Sequence, residues 1–131
     1  MDRIRQAAVL DIVEDDTATR EAVKEFLTGR GMTVEAFPSC ESFLARSPTA
    51  TEGYLLLDYH FSGMDGFQLM EILRERGETL PVILYTGRFN GSLKRRAERY
   101  PEVIAFLQKP VGGQSLLDAL QQAFRTGEAN P

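Results

Sequence analysis

The stretch that decides the fold is Val9-Leu10-Asp11-Ile12-Val13-Glu14-Asp15-Asp16, in which a mostly apolar run is followed at once by acids. A short run of branched apolar side chains fits a buried strand of a parallel sheet, whose two faces are both covered. The acids then stand at the carboxyl end of that strand, where α/β sheets collect ligands and chemistry. The segment therefore predicts both a fold class and the place of its site.

Further apolar runs alternate with longer stretches of helical spacing. The predicted strands are residues 7–13, 34–37, 54–57, 82–85 and 103–107. The predicted helices are residues 18–30, a shorter one at 39–46, and three that carry the apolar stripes Phe67, Met70 and Leu73; Leu93, Ala97 and Tyr100; and Leu116, Leu117, Leu120 and Phe124. Strand–helix alternation repeated in this way predicts an α/β fold with a parallel sheet and helices on both faces.

Composition narrows the class of protein. A chain of 131 residues that is 43% hydrophobic fits one domain with a real core. No apolar run approaches the roughly 18 residues of a membrane span, and the start lacks the apolar core of a secretory signal. The single cysteine, Cys40, fits a reducing compartment, and one cysteine with one histidine is too little for a zinc site. The net charge of −4 argues against nucleic acid as the main partner.

Polar side chains stand at the carboxyl ends of four predicted strands. They are Glu14, Asp15 and Asp16 after the first strand, Asp58 after the third, Thr86 after the fourth and Lys109 after the fifth. Carboxylates gathered at one place repel each other and favour a cation, and oxygen ligands select a hard ion such as Mg²⁺. An acid beside such an ion can attack phosphorus, while an ammonium and a hydroxyl hold the phosphoryl oxygens. Singly, each residue also has a structural interpretation, such as capping of the next helix by Asp16. Their joint occurrence favours the chemical one.

Five motifs resemble those of bacterial two-component receiver domains, in order and in spacing. They are Val9–Val13 followed by Glu14-Asp15-Asp16 with Arg20 downstream, Leu56-Leu57-Asp58, Gly63-Met64-Asp65-Gly66-Phe67, Pro81-Val82-Ile83-Leu84-Tyr85-Thr86-Gly87 and Phe106-Leu107-Gln108-Lys109-Pro110. The sequence is most similar to receivers of the nitrogen-fixation and nitrate-response type. The resemblance implies a doubly wound five-stranded parallel sheet of order 2-1-3-4-5, a flavodoxin-like three-layer sandwich. It implies a single receiver domain over residues 1–131, with a core at about 7–125 and a frayed tail at 126–131.

The resemblance also implies a function in two-component signal transduction. Asp58 would take a phosphoryl group from a phosphohistidine on a sensor histidine kinase or a phosphotransfer protein. Thr86 and Lys109 would contact the phosphoryl oxygens, and Phe106 would change position as Thr86 moves toward them. Catalysis would be limited to phosphorylation and dephosphorylation of the chain's own aspartate.

For the metal, the resemblance implies Mg²⁺ bound directly by Asp15, Asp58 and the main-chain carbonyl of His60, with Glu14 acting through water. His60 and Arg88 stand two residues after Asp58 and Thr86, respectively. In receivers these positions border the path of the water that hydrolyses the aspartyl phosphate. We therefore expect both residues to tune the lifetime of the phosphorylated state.

The resemblance implies an output face formed by the fourth helix, fifth strand and fifth helix, which would also support a homodimer. The fourth helix and the loop after it carry the basic residues Lys94, Arg95, Arg96 and Arg99, which form either a solvated face or a docking site for an acidic partner. We expect a cytoplasmic protein with neither nucleic acid nor membrane as a partner.

Three other interpretations compete with this one. A phosphorylation-independent receiver-like interaction module would lack the nucleophile, the lysine or the acid pair, and all are present. A magnesium-dependent phosphatase of the haloacid dehalogenase type needs a second acid two residues after the nucleophile, where this chain has His60. A flavin-binding flavodoxin-like domain needs a phosphate-binding first loop, whereas here that loop is acidic and would repel the flavin phosphate.

Overall fold

The computed structural model describes residues 9–46, 53–59, 64–78, 80–87, 90–109 and 112–129, with side chains described up to residue 125. Within this part of the chain, five strands alternate with five helices. The strands are β1 (Val9–Val13), β2 (Thr33–Phe37), β3 (Gly53–Asp58), β4 (Val82–Thr86) and β5 (Val103–Gln108). The helices are α1 (Thr17–Thr28), α2 (Cys40–Leu44), α3 (Gly66–Glu75), α4 (Gly91–Ala97) and α5 (Gly113–Ala129). Residues 7–8 of the predicted first strand and residues 130–131 of the predicted tail lie outside the described residues.

The strands form one parallel sheet of order β2-β1-β3-β4-β5, which confirms the predicted fold class and strand order. The chain leaves β1 toward β2 on one side and returns to β3 on the other, so β1 and β3 flank the point where the winding reverses. Crevices at the carboxyl ends of strands form at such a point. Val13 of β1 pairs with Leu57 of β3, and Asp58 pairs with Tyr85 of β4. The residues that follow β1 therefore lie beside the end of β3.

Side-chain alternation along the strands divides the core into two layers. The layer against α1 and α5 contains Leu10, Ile12, Leu27, Leu56, Ile83, Tyr85, Leu120 and Phe124. The layer against α2, α3 and α4 contains Val13, Phe43, Leu55, Leu57, Phe67, Met70, Leu84 and Leu93. Among the described residues, none of the helices combines the length and apolar character that a bilayer crossing requires.

Helices α1 and α2 each end two residues before the predicted bound, at Thr28 and Leu44. The fourth helix departs further from its prediction. The stripe of the fourth helix was expected to include Tyr100, but α4 ends at Ala97. Because Tyr100 precedes Pro101, the proline ring disfavours a helical conformation there. The Tyr100 ring packs instead on Phe67 of α3, with centroids 4.9 Å apart. At the other end of the chain, α5 continues to Ala129.

Candidate functional site

Three carboxylates meet at the carboxyl edge of the sheet. Glu14 and Asp15 follow β1, and Asp58 is the last residue of β3. Each contributes an oxygen, and these oxygens all lie within 4.8 Å of one another. Glu14 is 1% exposed and Asp58 4%, whereas Asp15 is exposed to solvent. The predicted acidic cluster is therefore present, with two buried members and one at the surface.

Lys109 follows β5 and carries its ammonium into this cluster. Its Nζ donates a hydrogen bond to Oδ2 of Asp58 at 2.9 Å and another to Oε1 of Glu14. Burial alone lowers the pKa of Lys109, but the hydrogen bonds to Glu14 and Asp58 raise it, and the net pKa lies above its usual value. The lysine is therefore held in its charged form by the two buried carboxylates.

Thr86 is the last residue of β4 and is completely buried. Its carbonyl accepts a hydrogen bond from the main-chain N–H of Lys109 at 2.9 Å, which joins the ends of the two strands. Phe106 pairs with Leu84, while Thr86 pairs with Gln108 two positions further along. Thr86 and Phe106 therefore lie on the same face of the sheet, the face covered by α3 and α4, where Phe106 is half-buried.

Hydrogen bonds from α1 hold the acidic loop. Nη1 of Arg20 donates to the carbonyl of Glu14 at 2.9 Å and to that of Asp15 at 3.5 Å. Asp16 takes no part in the acidic cluster, because its carboxylate caps α1 by accepting the N–H of Thr19 at 2.8 Å. The hydrogen bond that the Thr19 hydroxyl donates to this carboxylate lowers the pKa of Asp16. The interpretation of Asp16 as a cap of the following helix is thus confirmed.

One neighbour of the site was missed by the sequence prediction. The ring of Tyr85 lies under the ammonium of Lys109, with Nζ 4.7 Å from the ring centroid. Burial raises the pKa of Tyr85, which is 5% exposed. The only signal in the sequence is an aromatic residue directly before Thr86, which is indistinguishable from an ordinary core residue of β4.

The residues present fit a hard divalent cation. The donors are all carboxylate oxygens, which suit Mg²⁺ better than zinc. The two buried carboxylates already hold a cationic group, the Lys109 ammonium, so this pocket stabilises positive charge. His60 and Arg88 lie outside the described residues, so their expected places beside the cluster stay predictions.

Known proteins share this sequence pattern. The sequence matches the response regulator receiver domain family over residues 10–121. The chain belongs to this family. The receiver is 31% identical to the transcriptional regulatory protein TdiR of Thauera aromatica, over 90% of this chain and 52% of that protein. It is 32% identical to the tetrathionate response regulatory protein TtrR of Salmonella typhimurium, over 93% of this chain and 59% of that protein. The receiver thus spans about half the length of the curated relatives it matches.

Solved structures agree with the assignment. The response regulator StyR superimposes with a TM-score of 0.80 at 30% identity, covering 93% of the receiver and 61% of StyR. The structure titled FixJ-N gives the same TM-score at 26% identity, covering 92% of the receiver and 96% of that chain. The chain is therefore a receiver domain of two-component response regulators, a family of signalling modules whose standard role is to accept a phosphoryl group.

Proposed function

We propose that Asp58 is the phosphoacceptor of this receiver and that its phosphorylation requires Mg²⁺. The observation that carries the proposal is the double contact of Lys109, whose ammonium bridges Asp58 and Glu14 among three clustered carboxylates. Asp15, Asp58 and the carbonyl of His60 would bind Mg²⁺ directly, with Glu14 acting through water. Bound there, Mg²⁺ would offset the negative charge of the incoming phosphoryl group.

The chain's own residues supply the rest of the reaction. A carboxylate oxygen of Asp58 forms a bond to phosphorus while the bond from phosphorus to the donor histidine breaks, and the histidine nitrogen keeps the electron pair. The donor is a sensor histidine kinase or a phosphotransfer protein. Lys109 exchanges its contact with Asp58 for a phosphoryl oxygen, and the Thr86 hydroxyl donates to another. In dephosphorylation, water attacks the same phosphorus and releases phosphate.

The switch follows from the shared face of Thr86 and Phe106. When Thr86 moves toward the phosphoryl group, it frees space on the face covered by α3 and α4, and Phe106 moves into that space. This shifts the population toward a state with an altered α4–β5–α5 surface, which presents the output and homodimer interface. We propose that this signalling takes place in the cytoplasm and that the chain itself binds neither nucleic acid nor membrane.

The test is the intact mass of the protein after incubation with acetyl phosphate, with and without Mg²⁺. Asp58→Asn removes the nucleophile, and Asp16→Asn is the matched control, since asparagine also caps helices and Asp16 is turned away from the cluster. We expect one phosphoryl adduct that needs Mg²⁺, is absent in Asp58→Asn and remains in Asp16→Asn. A folded wild-type protein without an adduct would instead indicate a phosphorylation-independent interaction module.

His60 and Arg88 are proposed to tune the lifetime of the aspartyl phosphate. Single substitutions, His60→Ala and Arg88→Ala, should change the rate at which the adduct mass disappears after the acetyl phosphate is removed. Unchanged rates in both variants would contradict this role.

For α4, we propose that its basic face docks an acidic partner surface. Arg95 and Lys94 are exposed, and Arg96 stacks on Phe67 with its guanidinium carbon 4.3 Å from the ring centroid. Charge reversal at Arg95 and Arg96 should weaken partner binding, and Lys24→Glu on α1, across the sheet, is the control. Unchanged partner binding after the reversal would leave a solvated helix face.

A further inference from the structure

The aromatic ring of Tyr85 forms the floor under the site's lysine. Nζ of Lys109 lies 4.7 Å from the ring centroid, within the range in which a ring face attracts a cation. The Tyr85 side chain is fixed, because the residue is 5% exposed and packs in the layer covered by α1 and α5. Its Cα also pairs with Asp58 across β3 and β4, so the ring is anchored beside the phosphoacceptor.

This contact differs in kind from the lysine's other contacts. Glu14 and Asp58 hold Lys109 through hydrogen bonds that occupy two of the three N–H donors of its ammonium. A ring face attracts the same ammonium through its quadrupole and requires no particular donor. The ammonium can therefore exchange Asp58 for a phosphoryl oxygen while it stays over the ring. Without the ring, a lysine stem with four carbons and free rotation has more positions open to it during that exchange.

We propose that Tyr85 is a positioning residue for phosphoryl acceptance, whose ring face keeps the Lys109 ammonium at the site while its hydrogen-bond partners change. The inference rests on the proposed function at Asp58 and extends it to a residue that does not touch the phosphoryl group. A leucine or methionine at this position would fill the same core layer but would present no aromatic face.

The first test compares Tyr85→Phe, Tyr85→Leu and Tyr85→Met in the full chain, by the affinity for beryllofluoride in Mg²⁺ and the rate of phosphorylation by acetyl phosphate. Tyr85→Phe keeps the ring face and should behave like wild type. The leucine and methionine variants should each lose about fivefold in both quantities, which corresponds to about 1 kcal/mol. Equal behaviour of all three variants would overturn the proposal, and so would an equal loss in Tyr85→Phe, because the hydroxyl would then be responsible. Should Tyr85→Leu fail to fold, Tyr85→Met decides.

A spectroscopic measurement adds a readout that simple core filling would not change. The chain has no tryptophan and four tyrosines, so its near-ultraviolet absorption reports on tyrosine rings. Binding of beryllofluoride and Mg²⁺ should produce a tyrosine difference spectrum, because the charges around the ammonium over Tyr85 change while the ammonium stays in place. This difference should be lost in Tyr85→Phe and kept in Tyr59→Phe, although Tyr59 directly follows Asp58. A difference spectrum that survives unchanged in Tyr85→Phe would contradict the proposal.

The two hypotheses fail in different ways. A wild-type protein that gains no adduct and binds no beryllofluoride overturns the proposed function, and this inference with it. A wild-type protein that works, with aliphatic Tyr85 variants that work equally well, overturns only the role of Tyr85.

Discussion

The ammonium of Lys109 lies 2.9 Å from Oδ2 of Asp58, although the two residues are 51 positions apart in the chain. The same ammonium contacts Glu14, so one cation is shared by two buried carboxylates, one directly after β1 and one at the end of β3. Buried carboxylates without a counter-charge are costly. The site therefore needs positive charge to balance its carboxylates. Lys109 supplies one positive charge, and a bound divalent cation would supply more.

Lys109→Met should make the stability of the fold depend on Mg²⁺. Without the ammonium, the buried carboxylates of Glu14 and Asp58 lose the cation that they share, and unfolding in a metal chelator should be easier by about 1–3 kcal/mol, a reduced value because the lysine side chain is 23% exposed. Added Mg²⁺ should restore more stability to this variant than it adds to wild type. Urea denaturation with and without Mg²⁺ measures this, with Lys24→Met as control. An equal Mg²⁺ effect in all three proteins would contradict the prediction.

Thr86→Val should weaken the binding of a phosphoryl group while keeping the shape of a completely buried side chain. A hydrogen bond to a charged group contributes about 1.5–3 kcal/mol, so the affinity for beryllofluoride in Mg²⁺ should fall by about 10- to 100-fold. Thr86→Ser keeps the hydroxyl and should retain most of the affinity. If serine were as damaging as valine, the hydroxyl alone would not account for the role of Thr86, and the prediction would fail.

Asp11 should make stability fall as the pH rises. It is 8% exposed on β1, Arg46 Nε lies 3.9 Å from its Oδ2, and Glu35 is its neighbour on β2. Burial, opposed by Arg46 and helped by Glu35, raises the pKa of Asp11 from 3.8 to about 6. Between these values the folded state binds more protons than the unfolded state, so the contribution of Asp11 is greatest below pH 4 and is lost as the pH rises to 6.

Asp11→Asn removes this titration while Arg46 keeps its ion pair with Glu78 at 3.3 Å. The free energy of unfolding of wild type, relative to the variant, should decrease by about 2–3 kcal/mol between pH 4 and about pH 6.5 and then stay level. Urea denaturation of both proteins across this range is the measurement. A difference that is flat with pH would show that Asp11 ionises as it does in an unfolded chain.

Gly113→Ala should destabilise the start of α5, although alanine favours helices more than glycine does. A Cβ at this position would lie 2.8 Å from two ring carbons of Phe26, which is itself stacked under the Arg30 guanidinium at 4.0 Å. Forced overpacking of this kind typically costs about 1–3 kcal/mol. Gly112→Ala is the matched control, because a Cβ there meets nothing within 4 Å. Equal melting temperatures for the two variants would mean that Phe26 simply moves aside.

Local patterns were sufficient to place the secondary structure. The third strand was predicted at residues 54–57 and is observed at Gly53–Asp58, because a run of apolar residues bounded by glycine and acid is a local signal. The fourth helix was overextended to Tyr100, since its apolar spacing is helical while its conformation is limited by Pro101 and its packing comes from α3. Spacing alone does not distinguish a residue on a helix from one packed beside it.

The sequence by itself determined the order of strands and helices and the identity of the polar residues at the strand ends, since both follow from short-range periodicity. Only the tertiary structure decided how those residues are used. Of three consecutive acids, Asp16 turns to its own helix while Glu14 turns inward to Lys109, which is 95 positions away. The tertiary structure also decided that the ring of Tyr85 lies under the ammonium of Lys109. The physical reason is that contacts between β1, β4 and β5 depend on how the strands are ordered across the sheet, and no local pattern contains that information.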